Sequence, residues 1–143
     1  MTKRMLVIVA VSILMAIAVT PLAAQTLTLT ANIPFEFIMA GKTMPAGQYE
    51  VARSFSTPMI VLRGIEQRTG ALSIVLREPV ASKNPAADTR LVFNRYGDHY
   101  FLHEVVNAYA SLAYTLPETH AEHEMAKVAT VQPTEVLAVL ARR

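Results

Sequence analysis

The stretch that decides the fold is Leu91-Val-Phe-Asn-Arg-Tyr-Gly-Asp-His-Tyr-Phe-Leu-His-Glu-Val-Val-Asn107. Two runs rich in apolar and aromatic residues, 91–96 and 99–107, are separated only by Gly97 and Asp98. A two-residue Gly-Asp link between such runs is a strong hairpin signal. The sequence therefore predicts an antiparallel β-hairpin centred on Gly97-Asp98.

The two-residue loop also predicts the register of this hairpin, with Tyr96 opposite His99, Arg95 opposite Tyr100, Phe93 opposite Leu102 and Leu91 opposite Glu104. One face would then carry the better core residues, which are Leu91, Phe93, Tyr100, Leu102 and Val106. The other face would be mixed and half-covered, with Val92, Asn94, Tyr96, His99, Phe101, His103 and Val105.

Outward from the hairpin, alternation of apolar and polar residues predicts further short strands at 25–30, 33–39, 48–54, 59–63 and 71–77. Within 48–54, the side chains of Tyr49, Val51 and Arg53 share one side. Residues 117–127 change to a helical pattern, with a proline first, acidic residues in the first turns and Lys127 at the end. Residues 134–141 fit a buried strand, and a short helix after Pro133 fits nearly as well.

These elements predict a mainly β protein: an antiparallel β-sandwich or small barrel of six to eight strands, with one short helix near the C-terminus. Residues 25–143 would form a single β-rich domain.

The N-terminal residues 1–24 have the three parts of a secretory signal peptide. Lys3 and Arg4 supply positive charge, residues 5–19 are apolar apart from one serine, and small residues end the segment at Ala24. We therefore expect cleavage between Ala24 and Gln25 and an exported protein, either periplasmic or extracellular. The alternative is an uncleaved membrane anchor, since residues 5–24 come close to the length that spans a bilayer.

Charge and cysteine content narrow the classes of function. The chain has 13 basic and 11 acidic residues, so removal of Lys3 and Arg4 with the leader leaves 11 of each. A mature chain without net side-chain charge lacks the basic field that nucleic-acid binding requires. The chain has no cysteine, so it has neither a disulfide nor a lipidated cysteine. Membrane contact is expected only through the signal peptide before cleavage.

The sequence contains few motifs that indicate metal binding or catalysis. His120 and His123 lie three residues apart on the predicted helix and are the weak candidates for metal ligands, but a firm site needs a third protein ligand. His99 and His103 share a strand face roughly 13 Å apart, too far to bind one ion unless the strand bends. No serine lies in a Gly-x-Ser-x-Gly elbow, and each glycine is isolated in a turn. No catalytic residue, metal or cofactor is predicted.

The residues Arg95-Tyr96-Gly97-Asp98 could anchor a partner. A role in the turn itself is the favoured interpretation, because aspartate accepts local backbone hydrogen bonds. The aromatic residues offer a similar choice between a ligand pocket and an ordinary core. They are Phe35, Phe37, Phe93, Tyr100 and Phe101.

Three segments resemble a family of small secreted proteins found in acidobacterial genomes. They are Asn32-Ile-Pro-Phe-Glu-Phe37, Gly41-Lys-Thr-Met-Pro-Ala-Gly-Gln-Tyr-Glu-Val51 and Leu91-Val-Phe-Asn-Arg-Tyr-Gly-Asp-His-Tyr-Phe-Leu102, matching a pattern like IPFxF…LPAGxYxV…RYGDxYFL. The resemblance covers nearly all of residues 25–143 and implies export and a β-rich fold. It implies no activity, and histidine stands at 99, 120 and 123 where arginine or another polar residue is expected.

Three functions follow as hypotheses. The first is an exported, non-enzymatic β-domain that acts by binding or by structure. The second is a carrier of a small apolar ligand inside a barrel. The third is a hydrolase with an unrecognised site, which predicts that Arg95, Asp98, His99 and His103 converge in a cleft with perturbed titration. A homodimer through an exposed strand edge beside Pro34 is also possible in principle.

Overall fold

The computed structural model describes residues 28–54 and 56–141. Eleven short strands dominate it: β1 (Leu29–Ile33), β2 (Phe37–Met39), β3 (Lys42–Met44), β4 (Gly47–Arg53), β5 (Met59–Gly64), β6 (Gly70–Ile74), β7 (Leu76–Pro79), β8 (Arg90–Tyr96), β9 (His99–Asn107), β10 (Leu112–Thr115) and β11 (Gln132–Leu140). The helical segments are α1 (Pro85–Asp88), a 3₁₀ turn (Ala108–Ala110) and α2 (His120–Ala126). The predicted mainly β class is confirmed.

The strands form one hydrogen-bonded sheet in the order β3-β2-β9-β8-β11-β1-β4-β5-β6, and β10 joins β9 to β7 beside this path. The sheet curls into a nearly closed barrel. The ladders between neighbours are antiparallel except for β2 and β9, which meet in parallel at Ile38 and Phe101. The structure has eleven strands rather than the predicted six to eight among the described residues, because β3, β7 and β10 are short strands that the sequence did not predict as separate elements.

Strand β11 joins the two halves of the barrel. Residues Gln132 to Leu137 pair with β8, and residues Ala138 to Leu140 pair with β1. At the change of partner, the Ala138 N–H donates to the Thr89 carbonyl at 3.0 Å. The C-terminal segment is therefore a strand, which resolves the choice between strand and helix. Ala138 is fully buried where the two halves meet.

The β8–β9 hairpin follows the predicted register from Tyr96–His99 to Phe93–Leu102. The register then shifts, so that Val92 pairs with Glu104 and Leu91 pairs with Val105. The predicted Leu91–Glu104 pair is wrong because His103 is an extra residue in β9, which makes a β-bulge. A bulge reverses which side chains face inward, so Val105 joins the main core and Val106, which was predicted to do so, does not.

Two predicted strands are divided. The predicted strand 33–39 breaks after Ile33, where Pro34 removes a backbone donor, and resumes as β2 at Phe37. The predicted strand 71–77 changes partner at the buried Val75, with β6 pairing with β5 and β7 pairing with β10. Each break redirects the chain from one half of the barrel to the other.

The predicted helix at 117–127 is confirmed in a shorter form. Helix α2 begins after Thr119, whose hydroxyl accepts a hydrogen bond from the Glu122 N–H at 3.3 Å. Such N-caps satisfy one of the backbone donors that a helix start leaves free. Among the described residues, no helix is long and apolar enough to cross a membrane.

Aromatic side chains pack one end of the barrel. The Phe37 ring lies edge-on to Phe93 and to Tyr49, at centroid distances of 5.4 and 5.2 Å. Phe35 stacks on Tyr100 at 3.9 Å and meets Phe93 edge-on at 5.1 Å. We call these five residues the aromatic cluster. They belong to the core or pack against it. For Phe35, Phe37, Phe93 and Tyr100, the structure therefore agrees with the interpretation of the aromatic residues as core.

Among the described residues, the strands with a neighbour on one side only are β3, β6 and β7. Pro34 lies between β1 and β2, and both of these strands have neighbours on two sides. The exposed edge expected beside Pro34 is therefore not there. Strand β6 exposes Leu72 and Ile74. A homodimer through an edge strand stays a prediction, with β3, β6 and β7 as the available edges.

Candidate functional site

A cavity of about 260 Å³ opens at the end of the barrel opposite the aromatic cluster. The direction of the strands defines the two ends: β4 runs from Tyr49 in the aromatic cluster to Arg53 at the cavity, roughly 13 Å at ~3.3 Å per residue. The residues that line the cavity come from β1, β4, β5, β9, β10 and the 3₁₀ turn. They are Leu29, Val51, Ala52, Arg53, Ile60, Val105, Asn107, Ala110, Leu112 and Tyr114.

The cavity exists because most of the side chains that face inward at this end are aliphatic, with Tyr114 as the one ring among the described lining residues. Leu29, Val51 and Ile60 point into it from three adjacent strands, and each is almost completely buried. These shorter side chains leave space that the aromatic cluster fills at the other end. The walls are therefore apolar and held by the sheet, which is the form that small-molecule sites commonly take.

Three polar groups border the apolar walls. Asn107 is buried, and its Oδ1 accepts a hydrogen bond from the Ala110 N–H at 3.2 Å, which fixes the 3₁₀ turn at the rim. Tyr114 is 3 % exposed and lies on β10. Arg53 ends β4 on the inward side and is half-buried. A few polar groups around an apolar pocket fix the orientation of a bound ligand.

A polar groove of about 190 Å³ adjoins the cavity, and Arg53 and Tyr114 line both. The groove lies beside the β4–β5 loop, where the Thr57 hydroxyl donates to Ser54 Oγ at 3.0 Å. Arg77 lines its far side from β7, directly opposite Tyr114 in the β7–β10 ladder. We call this region the arginine groove, defined by Arg53, Arg77, Ser54 and Tyr114.

Arg53 also borders a shallow groove on the outer surface of the barrel, together with Glu50 and Arg63. Glu50 and Arg63 are cross-strand partners on the outward side of β4 and β5. Glu50, the acidic residue in this groove, therefore lies on the outer surface. Among the described residues that line the cavity and the arginine groove, none is acidic.

A second polar cluster lies under helix α2. Glu122 is 3 % exposed, and its Oε1 accepts a hydrogen bond from Asn94 Nδ2 at 3.0 Å. Burial raises the pKa of the Glu122 carboxyl and Glu118 adds to this, while Asn94, His103 and the Thr119 backbone lower it. Burial and the same two carboxylates raise the pKa of the neighbouring Tyr96 hydroxyl. The Nδ1 atom of His103 is buried and has no hydrogen-bond partner in the described structure.

The turn residues predicted as a partner motif are engaged locally. Arg95 Nε donates to the Gly97 carbonyl at 2.7 Å, and the Arg95 guanidinium lies 5.4 Å from the Tyr100 ring centroid. Gly97 adopts φ 61°, a left-handed conformation that glycine accepts readily. Tyr96 is buried with Phe101, and Asp98 is exposed. These contacts support the interpretation of the motif as turn chemistry.

The hydrolase hypothesis predicted one cleft for Arg95, Asp98, His99 and His103, but these residues lie in different surroundings. Asp98 and His99 line a small surface pocket beside Glu36. His103 belongs to the cluster under α2, and Arg95 binds the turn. His120 and His123 are exposed on α2, where His123 Nδ1 lies 4.0 Å from Glu118 Oε2. Within the described ranges, no three His, Cys, Asp or Glu side chains are grouped to hold a metal ion.

Sequence reasoning missed two features. Glu122 was not singled out in the sequence, yet it is buried and bonds to Asn94 on β8, and its neighbours in sequence carry no signal of this. The cavity was not located either, although the shared side of Tyr49, Val51 and Arg53 was recognised. An arginine on the inward side of a strand was the available signal, because that side otherwise enters the core. The predicted cleavage site at Ala24 and Gln25 lies outside the described residues.

No known family model, curated protein or solved structure matches the chain. The site is therefore interpreted from its own geometry.

Proposed function

We propose that this protein is an exported, non-enzymatic β-barrel protein that binds a small, largely apolar molecule in the cavity at the end of the barrel. The observation that carries the proposal is the cavity itself, bounded by Leu29, Val51, Ile60, Val105 and Leu112. Its volume is near the lower end of ligand pockets, roughly 300–1,000 Å³, so the ligand is small.

The physical driving force is the transfer of an apolar ligand from water to apolar walls. An apolar cavity of this kind remains dry or takes up an apolar guest, because water finds few polar partners there. Burial of apolar surface contributes about 25 cal/mol per Å², and the loss of the ligand's freedom on binding offsets part of this gain.

Export is supported by the N-terminal pattern of residues 1–24 and by the resemblance to small secreted proteins. The ordered sequence of charge, apolar run and small residues is that of a signal peptide. The absence of cysteine makes the fold independent of disulfide formation in the exported state. We place the mature protein in the periplasm or outside the cell.

The hydrolase remains the second candidate, and the cluster of Glu122, His103 and Tyr96 favours it. A buried carboxyl with a raised pKa beside an unpartnered imidazole nitrogen is a feature of many acid–base sites. However, Glu122 is almost inaccessible, and the helix that carries it covers the cluster. A binding role for the cavity therefore has the stronger geometric support.

The proposal is tested by fluorescence titration of the neutral apolar probe N-phenyl-1-naphthylamine with protein exported from the full-length gene. We expect saturable enhancement of probe fluorescence with one site per chain. The variant Ala110→Trp places an indole at the cavity rim and should reduce probe affinity at least about tenfold, since the ring competes for the same space.

The matched control is Ala121→Trp, which adds the same ring at an exposed position of α2. It should bind the probe like the natural protein. Equal binding by both tryptophan variants would place the probe elsewhere and would count against the cavity as the site.

A further inference from the structure

We infer that the barrel-end cavity binds a short aliphatic carbonyl compound, such as a ketone, an aldehyde or an ester, whose carbonyl oxygen accepts hydrogen bonds from Asn107 Nδ2 and the Tyr114 hydroxyl. This inference rests on the proposed binding function of the same cavity, and it names the chemical class of the ligand. The walls select the aliphatic chain, and these two side chains select the oxygen.

Asn107 and Tyr114 lie close together in the ladder between β9 and β10. Along β9, Val105 and Asn107 both line the cavity. In the ladder, Val105 pairs with Tyr114, and Asn107 pairs with Leu112. Asn107 and Tyr114 are therefore diagonal neighbours, which in an antiparallel ladder lie roughly 7–8 Å apart at the backbone and within reach of an aromatic side chain. A ligand atom between them can contact both side chains.

The amide of Asn107 provides a hydrogen-bond donor at the cavity. Asn107 is 5 % exposed, and the Ala110 backbone N–H donates to its Oδ1 at 3.2 Å. Because a backbone N–H can only donate, this contact fixes which end of the amide is the oxygen. The Nδ2 atom is therefore the free end, and it has no hydrogen-bond partner among the described residues.

The hydroxyl of Tyr114 provides a second donor. Tyr114 is buried and lines both the cavity and the arginine groove, so its ring stands between them. Its hydroxyl has no hydrogen-bond partner within the described ranges. In the part of the chain that the structure describes, the sealed polar side-chain atoms without a partner belong to Gln67, Arg90 and His103. The free ends of Asn107 and Tyr114 are therefore accessible to a molecule that enters.

Two neighbouring donors select a ligand with an acceptor oxygen. A carbonyl oxygen has two lone pairs, so it can accept from both side chains at once. A hydrocarbon would leave both donors buried without a partner, which costs more free energy than a typical hydrogen bond contributes. Both donors are neutral, so they offset the desolvation of a neutral carbonyl more fully than that of a carboxylate. The aliphatic walls then hold the short chain by dispersion contacts.

The test uses two ligands of similar shape. 2-Heptanone carries a carbonyl oxygen, and 2-methyl-1-heptene carries a methylene group in its place. Both are titrated into the exported protein loaded with N-phenyl-1-naphthylamine, and displacement of the probe gives their affinities. The readout is the ratio of the affinity for 2-heptanone to that for 2-methyl-1-heptene, because general effects of a variant on the fold or on the cavity shape cancel in it.

Tyr114→Phe removes the hydroxyl and keeps the ring. It should lower the affinity for 2-heptanone about three- to tenfold, which is the effect of one lost hydrogen bond. The affinity for 2-methyl-1-heptene should not fall, and its retention also shows that the variant is folded. The matched control is Tyr109→Phe, which removes the same hydroxyl from an exposed tyrosine in the 3₁₀ turn and should leave the ratio unchanged.

Asn107→Asp tests the second donor. The substitution keeps the oxygen that accepts from the Ala110 N–H, so the 3₁₀ turn stays fixed. It replaces the Nδ2 donor by an oxygen that cannot donate to a carbonyl. The affinity ratio should therefore fall at least as much as in Tyr114→Phe.

The outcomes separate this inference from the proposed function. An unchanged ratio in Tyr114→Phe or in Asn107→Asp, with both ligands still displacing the probe, would overturn the two-donor assignment and leave an apolar site. A ratio that Tyr109→Phe lowers as much as Tyr114→Phe would place the hydrogen bond outside the cavity and would also overturn it. Failure of the probe and of both ligands to bind the natural protein would overturn the proposed function itself.

Discussion

The carboxyl of Glu122 is the one acidic group that the fold buries among the described residues, and its environment makes its protonation depend on folding. Asn94 holds one oxygen through a hydrogen bond, but burial outweighs this and raises the pKa. Because the folded state favours the protonated carboxyl, it binds more protons than the unfolded state at pH values between the two pKa values. Stability therefore falls as the pH rises through that window.

Replacement of this carboxyl by an amide gives a residue-scale prediction. Glu122→Gln keeps an oxygen that can accept the hydrogen bond from Asn94, and it removes the buried negative charge. Tm should therefore rise by a few degrees at pH 8. The gain should shrink as the pH falls toward the ordinary value of 4.5, because the carboxyl then becomes increasingly protonated in the unfolded state as well as in the folded state. Thermal unfolding by circular dichroism between pH 4.5 and 8 measures this difference.

The control is Glu124→Gln on the exposed side of α2, where Glu124 pairs with Lys127 at 2.7 Å. An exposed ion pair of this kind contributes little, so its loss should change Tm only slightly. A drop in Tm at pH 8 for Glu122→Gln would show that the negative charge stabilises the fold and would refute this account.

At the scale of elements, β11 determines whether the barrel holds together, because it pairs with β8 along one part and with β1 along the other. The Ala138 side chain is fully buried where the partner changes, and only a small residue fits there. Its neighbour Val139 points outward and is 61 % exposed.

This contrast yields a pair of matched variants. Ala138→Leu should destabilise the protein by about 1–3 kcal/mol, because the added methylenes enter a packed interior. Val139→Leu should change stability by less than about 0.5 kcal/mol, as is usual for exposed positions. Urea denaturation gives both free energies of unfolding. Equal effects would mean that residue 138 is not enclosed as described.

The hairpin shows how far sequence alone predicts these elements. Gly97-Asp98 predicted the turn and the pairs nearest to it, because the loop length sets the register there. The bulge at His103 was not predictable, since an extra residue in one strand leaves no mark in composition or alternation. Because of the bulge, Val105 rather than the predicted Val106 belongs to the main core.

The candidate site was predictable only in part for a similar reason. Alternation along β4 put Arg53 on the same side as Tyr49 and Val51, and in the structure Arg53 lines the cavity together with Val51. The cavity depends on which strands meet at that end, and the pairing of β10 with β7 and β9 is a long-range property. Local periodicity does not encode such pairing.

At the scale of the whole molecule, the barrel has two ends of different character. Rings from Phe35, Phe37, Tyr49, Phe93 and Tyr100 fill one end, while largely aliphatic walls at the other end leave a cavity. A rigid sheet with one open end is suited to holding a small molecule away from water. Together with the expected removal of residues 1–24, this predicts a small exported binding protein.

Native mass spectrometry of the protein exported from the full-length gene, incubated with N-phenyl-1-naphthylamine, tests this account most directly. We predict a chain that begins at Gln25 and carries one non-covalent probe molecule. The adduct should be lost on denaturation and strongly reduced in Ala110→Trp but not in Ala121→Trp. A chain that retains residues 1–24 would contradict export by cleavage. A bare chain at a saturating probe concentration, or an adduct unaffected by Ala110→Trp, would contradict the barrel-end cavity as a binding site.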